Sequence, residues 1–162
     1  VSASRAIIIA ALAVLSMLVI GCGPERVRED RTHGLTLEMS WSGEERSRSS
    51  YFSVDAAGEF GSSGGIRARD RAIDFRTRLD DAEVARFVEL VEATAFASRA
   101  REAGESGDRS EVSVIRRGAR SRFTVLGPDP AVDALRVFLR EISLRQFRDV
   151  IEAQPQAGER RR

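Results

Sequence analysis

Ile73-Asp74-Phe75-Arg76-Thr77-Arg78-Leu79 alternates apolar and polar side chains, whereas Asp80-Asp81-Ala82-Glu83-Val84-Ala85-Arg86-Phe87-Val88-Glu89-Leu90-Val91 does not. In the first stretch Ile73, Phe75 and Leu79 face one way and Asp74, Arg76 and Arg78 the other, the period of a strand with one buried face. In the second, Val84, Phe87, Val88 and Val91 recur at helical spacing. The change falls at Asp80. Its carboxylate is placed to accept from the Glu83 amide while Glu83 reaches back, which is a capping box.

Strand patterns flank this junction on both sides. Upstream, Leu35, Leu37, Met39 and Trp41 alternate with Thr36, Glu38 and Ser40. Phe52 and Val54 follow a polar loop over 42–50, and a turn at Ala56-Ala57-Gly58-Glu59 leads to Phe60. Gly61-Ser62-Ser63-Gly64-Gly65 reads as a break, a mobile connection between strands. Downstream, the helix should fade near Phe96, and 97–109 reads as a charged loop. Val112 and Val114, a tight turn at Arg117-Gly118, then Phe123 and Val125 give a second hairpin. Gly127-Pro128-Asp129-Pro130 breaks the chain, and Asp129 can cap a helix with Pro130 at its first position. Val132, Leu135, Leu139 and Ile142 form that helix's apolar stripe, with Phe138, Phe147 and Ile151 widening it. The order β-β-β-β-α-β-β-α predicts an α+β domain over 35–153, an antiparallel sheet of about five or six strands with two helices packed on one face. About twenty large apolar side chains could be buried, each stabilising by about 1.5–3 kcal/mol before entropy is subtracted.

The N-terminus has a different character. After Arg5, the run from Ala6 to Ile20 is apolar apart from Ser16. Fifteen helical residues span roughly 22 Å, short of the ~30 Å hydrocarbon core, so a secretory signal fits better than a spanning helix. Val19-Ile20-Gly21-Cys22 resembles the bacterial lipobox. That resemblance implies a signal peptide over 1–21, recognised by a signal peptidase through Val19, Ile20 and Gly21. It also implies an acylated Cys22 that holds the protein to a membrane by lipid. Cys22 is the sole cysteine, and a thiol is the soft nucleophile that thioether formation needs. One acyl chain anchors only marginally, while the modification implied here supplies enough chains for stable attachment. Gly23 stands where lipoproteins retained at the inner membrane often carry Asp, so the resemblance implies the outer membrane, facing the periplasm. Residues 22–34, rich in charge and without apolar periodicity, read as a flexible tether, and 154–162 as a disordered basic tail.

Composition narrows the function. The 162 residues, 42% apolar and 31% charged, fit one small domain with tails and exclude a multi-domain enzyme. A net charge of +1 excludes an electrostatically driven nucleic-acid binder. Of the 26 basic residues all are arginine, a bias that G+C-rich coding produces without site chemistry; losing Arg5 with the signal leaves 25 against 25 acidic residues. The mature chain would therefore be neutral, and attraction to anionic lipid is not what holds it.

Residues able to do chemistry are few. His33 is the sole imidazole and lies on the tether, where an exposed side chain is expected rather than a general base. Zinc needs three or four nitrogen or sulfur ligands, and after lipidation only His33 remains. Asp80-Asp81 and Asp129/Asp133 lack calcium-loop spacing and read as caps. Gly61–Gly65 lacks the Gly-Lys-Ser/Thr and following helix of a phosphate loop. Arg67, Arg69 and Arg71 could form a basic stripe, but Asp70 and Asp74 interleave with them. The expectation is a domain without catalytic, metal or cofactor-binding residues that binds a protein partner or serves structurally. A small envelope hydrolase using paired carboxylates is the enzymatic alternative, in a chain short for such a cleft.

Ser63-Gly64-Gly65, the strand ending in Leu79-Asp80-Asp81-Ala82-Glu83, Phe96, and the later strands and helix together resemble the layout of emfourin-type inhibitors of secreted metalloproteases, over about Gly61–Ile142. The resemblance implies a membrane-tethered protease inhibitor. Ile66-Arg67-Ala68 stands where that family carries an aromatic residue, Ala and Gly, so no inhibitory residue is carried over.

Overall fold

Leu35, Leu37 and Met39 are buried completely while Thr36, Glu38 and Ser40 are not, so the alternation in the sequence becomes a two-faced strand, β1 (Leu35–Ser42). The computed structural model describes residues 30–43, 48–100, 102–104 and 106–152. After β1 come β2 (Ser49–Val54), β3 (Glu59–Gly64), the short helix α1 (Gly65–Arg69) and β4 (Phe75–Arg78). The remaining elements are α2 (Asp81–Ala93), β5 (Glu102–Ala103), β6 (Arg109–Arg116), β7 (Ala119–Leu126), α3 (Pro130–Ser143) and α4 (Arg145–Glu152). The strands form one sheet in the order β4-β3-β2-β1-β6-β7-β5. Six of them are antiparallel to their neighbours, and the two-residue β5 runs parallel to β7. The fold is α+β, as the order of patterns predicts.

Register explains the core. Leu37 lies opposite Val54 and Val114, and Met39 opposite Phe52 and Val112, so apolar residues of three strands share one face. On that face pack Val84, Phe87, Leu90 and Val91 of α2 and Val132, Leu135, Leu139 and Ile142 of α3. The capping box forms: the Glu83 amide donates to Asp80 Oδ1 at 2.8 Å, and the Asp80 amide donates to Glu83 Oε2 at 2.9 Å. At α3 the Val132 amide donates to Asp129 Oδ1 at 3.0 Å and the Asp129 amide to Asp133 Oδ2 at 3.1 Å, with Pro130 at the first position. Arg145 pairs with Glu83, tying the start of α4 to the start of α2.

Four features differ from the sequence reading. Gly61–Gly64 is not a mobile break but most of β3, paired to β2 and β4. Its small residues serve packing. A Cβ at Gly61 would come within 2.8 Å of Ser53 Oγ and 2.9 Å of Ile73 Cδ1. Ser62 is buried and its hydroxyl bonds to that of Ser143 at 3.0 Å. A helix, α1, also follows where none was expected; it lies against β2 and β3 with Ala68 buried. The second difference is at the tether. The domain does not begin at Leu35, because the Arg31 amide donates to Ala56 O at 2.9 Å and its guanidinium to Leu79 O at 2.7 Å. Thr32 is buried, with its hydroxyl donating to Leu35 O at 2.5 Å. Third, the last helix divides at Leu144, which caps α3, and Phe147 is half exposed instead of widening the stripe. Fourth, the loop over 97–109 contains β5. The signal over 1–21, Cys22 and the tail over 154–162 lie outside the described residues.

Replacing Leu135 with Ala removes a fully buried side chain shared by α3 and the sheet and should cost about 2–5 kcal/mol. Asp80→Ala removes one half of the capping box and should cost about 1 kcal/mol. Chemical denaturation of both variants, at unchanged m-value, checks the order and size of the two effects. Burial raises the pKa of Asp129, but the Val132 amide, Arg99 and the Ala131 amide outweigh it, so the carboxyl titrates below the usual range. A depressed native pKa contributes stability that is present above the unfolded value and lost as pH falls through the native one. Wild-type stability should therefore drop on acidification below about pH 4 more steeply than that of Asp129→Asn.

Candidate functional site

Of the residues that the sequence nominates, Val19, Ile20, Gly21 and Cys22 lie outside the described residues. His33 is exposed in the turn before β1, at φ 56°. It borders an open hollow of about 500 Å³ with Asp30, Arg31 and Asp81. Asp80 and Asp129 are occupied as caps, and Asp133 receives the Asp129 amide and Arg136. No group of three or more His, Cys, Asp or Glu among the described residues could hold a metal ion. The interior amides of Gly61–Gly64 belong to strand ladders. Arg67, Arg69 and Arg71 do not form one stripe. Arg67 pairs with Asp74 at 2.5 Å, whereas Arg71 reaches Glu38 at 3.7 Å and Glu111 at 3.9 Å.

The sheet face away from the helix layer is built from the alternate residues of the same strands. It carries carboxylates and guanidiniums in mutual contact. Glu111 receives Arg109 at 3.0 Å, Arg122 at 3.5 Å and Arg71 at 3.9 Å. These are solvent-facing pairs of modest worth. They leave Glu111 surrounded by cations and enclose a hollow of only about 100 Å³. Tyr51 stands on this face opposite Ser63 and Ser40, and is buried. Burial and the Glu38 carboxylate raise its phenol pKa, and Arg71 opposes them in part.

A larger concavity, of about 380 Å³, opens at the end of the sheet where β1 finishes and β2 begins. Its floor is Trp41, at the core-facing register of β1 but beyond Met39, where the helix layer covers the sheet only in part. Over it lies α3. The Arg136 guanidinium carbon sits 5.0 Å from the centre of the Trp41 ring, within cation–π range. Arg136 Nη2 donates to Asp133 at 3.0 Å, while its Nε is buried without an acceptor. Arg140 stands four residues further along α3 and Arg48 just before β2, both exposed and both lining the space with Ser49 and Ser50. No described residue lining this groove carries a carboxylate. The sequence reading missed it. The available signal was Arg136 and Arg140 at i and i+4 on one helix face, but nothing local to the helix tells that this face meets Trp41, nearly a hundred residues earlier.

No family model matches the chain, and no curated protein matches it.

Tyr51 is the sole tyrosine, so alkaline ultraviolet difference absorbance reads it alone. Its ionisation should lie above the ordinary phenol value of about 10, and Glu38→Gln should bring it down toward that value.

Proposed function

We propose that the chain is a lipid-anchored lipoprotein of the cell envelope, with a small non-enzymatic α+β domain that binds a partner. The observation that carries this reading is the apolar run Ala6–Ile20 closing on Val19-Ile20-Gly21-Cys22, with the only thiol of the chain at the position a lipobox requires. Gly23 favours the outer membrane, facing the periplasm. Several features of the domain support the reading. Its core is complete without the N-terminal segment, since the apolar faces of α2 and α3 are both covered by the sheet. No helix among the described residues is long and apolar enough to cross a membrane. Residues 23–29 separate Cys22 from the turn at Asp30, eight Cα–Cα steps that reach at most about 29 Å when fully extended. The domain would thus be held close to the bilayer surface.

Cys22→Ser should abolish incorporation of labelled palmitate and leave an uncleaved or soluble form. Metabolic labelling followed by mass spectrometry of the purified chain reads both. Membrane attachment that persists in Cys22→Ser, with no lipid on the wild-type residue, would overturn the reading.

A further inference from the structure

We propose that the groove between Trp41 and α3 binds a small soluble ligand through an oxyanion, a phosphate or carboxylate group. This deepens the binding-domain reading above and rests on it. Arg48, Arg136 and Arg140 converge on one concavity with no described acidic residue in its lining. On the opposite sheet face Arg71, Arg109 and Arg122, by contrast, each reach a carboxylate. Among the described residues, Arg48 and Arg140 make no ion pair. Arginine is the side chain suited to this task, because its planar fork offers parallel N–H donors to phosphate or carboxylate oxygens.

Arg136 adds a second, independent observation. Its charge is partly answered by Asp133, and its plane is fixed over the Trp41 ring. Its Nε–H is nevertheless buried without an acceptor, an arrangement that costs free energy until an acceptor arrives. A small rotation of the side chain on binding would turn that donor toward an oxyanion held by Arg140. Ser50, opposite Trp41 in the β1–β2 register, borders the same space, and its volume of about 380 Å³ falls at the small end of the range for ligand pockets. The occupant is therefore a compact molecule and not a bare ion alone.

Placement separates a soluble ligand from the surface of the anchoring membrane. The chain joins the domain at the Asp30–Gly34 turn, beside the first residue of β1, and the groove lies at the last turn of that strand's path. From Leu35 to Trp41 the strand advances about 20 Å. The chain enters the domain at one end of β1, and the groove opens at the other.

Trp41 is the sole tryptophan, so its emission reports on the groove it floors, and the Arg48 and Arg140 variants assign the response to that groove. The test titrates the purified full chain in detergent, at low ionic strength, with sodium phosphate, glucose 6-phosphate and glucuronate. A saturable change in emission is expected with at least one of the two organic probes, tighter than with phosphate. Arg48→Ala and Arg140→Ala should each weaken it about tenfold at unchanged Tm, and Arg140→Lys should restore only part of the loss. No saturable change with any of the three probes would overturn the proposal, as would binding that both alanine variants retain. A parallel arm compares phosphatidylglycerol with phosphatidylcholine vesicles, both of which can take up the anchor. A response to phosphatidylglycerol with none to the soluble probes would mean that the groove meets lipid, and the proposal would fall. The titration reads the groove whether or not Cys22 carries lipid, and palmitate labelling does not depend on the groove, so either reading can fail by itself.

Discussion

Leu35, Leu37 and Met39 lie in the middle of a sheet with β2 on one side and β6 on the other, and all three are withdrawn from water. Because side chains on a strand alternate, a slip of one residue at either neighbour would turn Glu38 inward and Met39 outward. The burial of this one face under α2 and α3 thus fixes the register of β1, β2 and β6 together. It also fixes what stands on the other face: Glu38, Ser40, Tyr51, Glu111 and Ser113 are there because their neighbours in sequence are inside.

The charged residues follow from that constraint. A strand that gives every second position to the core gives the rest to water, and in a chain whose cations are all arginine the outer positions fill with guanidiniums and carboxylates in reach of one another. Most of these pairs are exposed and contribute little to stability. Those at helix starts contribute more. Glu83 closes the capping box of α2 and receives Arg145, and Asp129 caps α3 and receives Arg99. These contacts hold helix ends over the sheet, and Arg99 also lies 5.0 Å from the ring of Phe123 in the core.

The groove exists where this plan stops. Trp41 keeps the core-facing register of β1 but extends past the layer formed by Met39, Phe52 and Val112. It is too large for the thinning end of the helix layer to cover, and Arg136 lies across the ring instead. The result is an aromatic floor and a ring of cations at one end of the domain, while the opposite end receives the incoming chain through Arg31 and Thr32.

Short-range patterns in the sequence were enough for the strands of β1, β2, β6 and β7, the starts of α2 and α3 and the general architecture. Each depends on alternation, helical spacing or a cap within a few residues. The resemblance of Val19-Ile20-Gly21-Cys22 to a lipobox is local in the same sense, four consecutive positions that close an apolar run. Three outcomes depended on tertiary structure. Gly61–Gly64 carries the composition of a flexible joint, yet it is a strand, because Ile73 and Ser143 pack where larger side chains would stand. Asp30–Gly34 carries the composition of a tether, yet Ala56 and Leu79 supply acceptors that fasten it. Arg48, Arg136 and Arg140 share a concavity only because α3 crosses the end of β1. Periodicity reports which side of an element is buried, but not which distant element it meets, and a site assembled from Trp41 and a helix almost a hundred residues later is decided by that meeting.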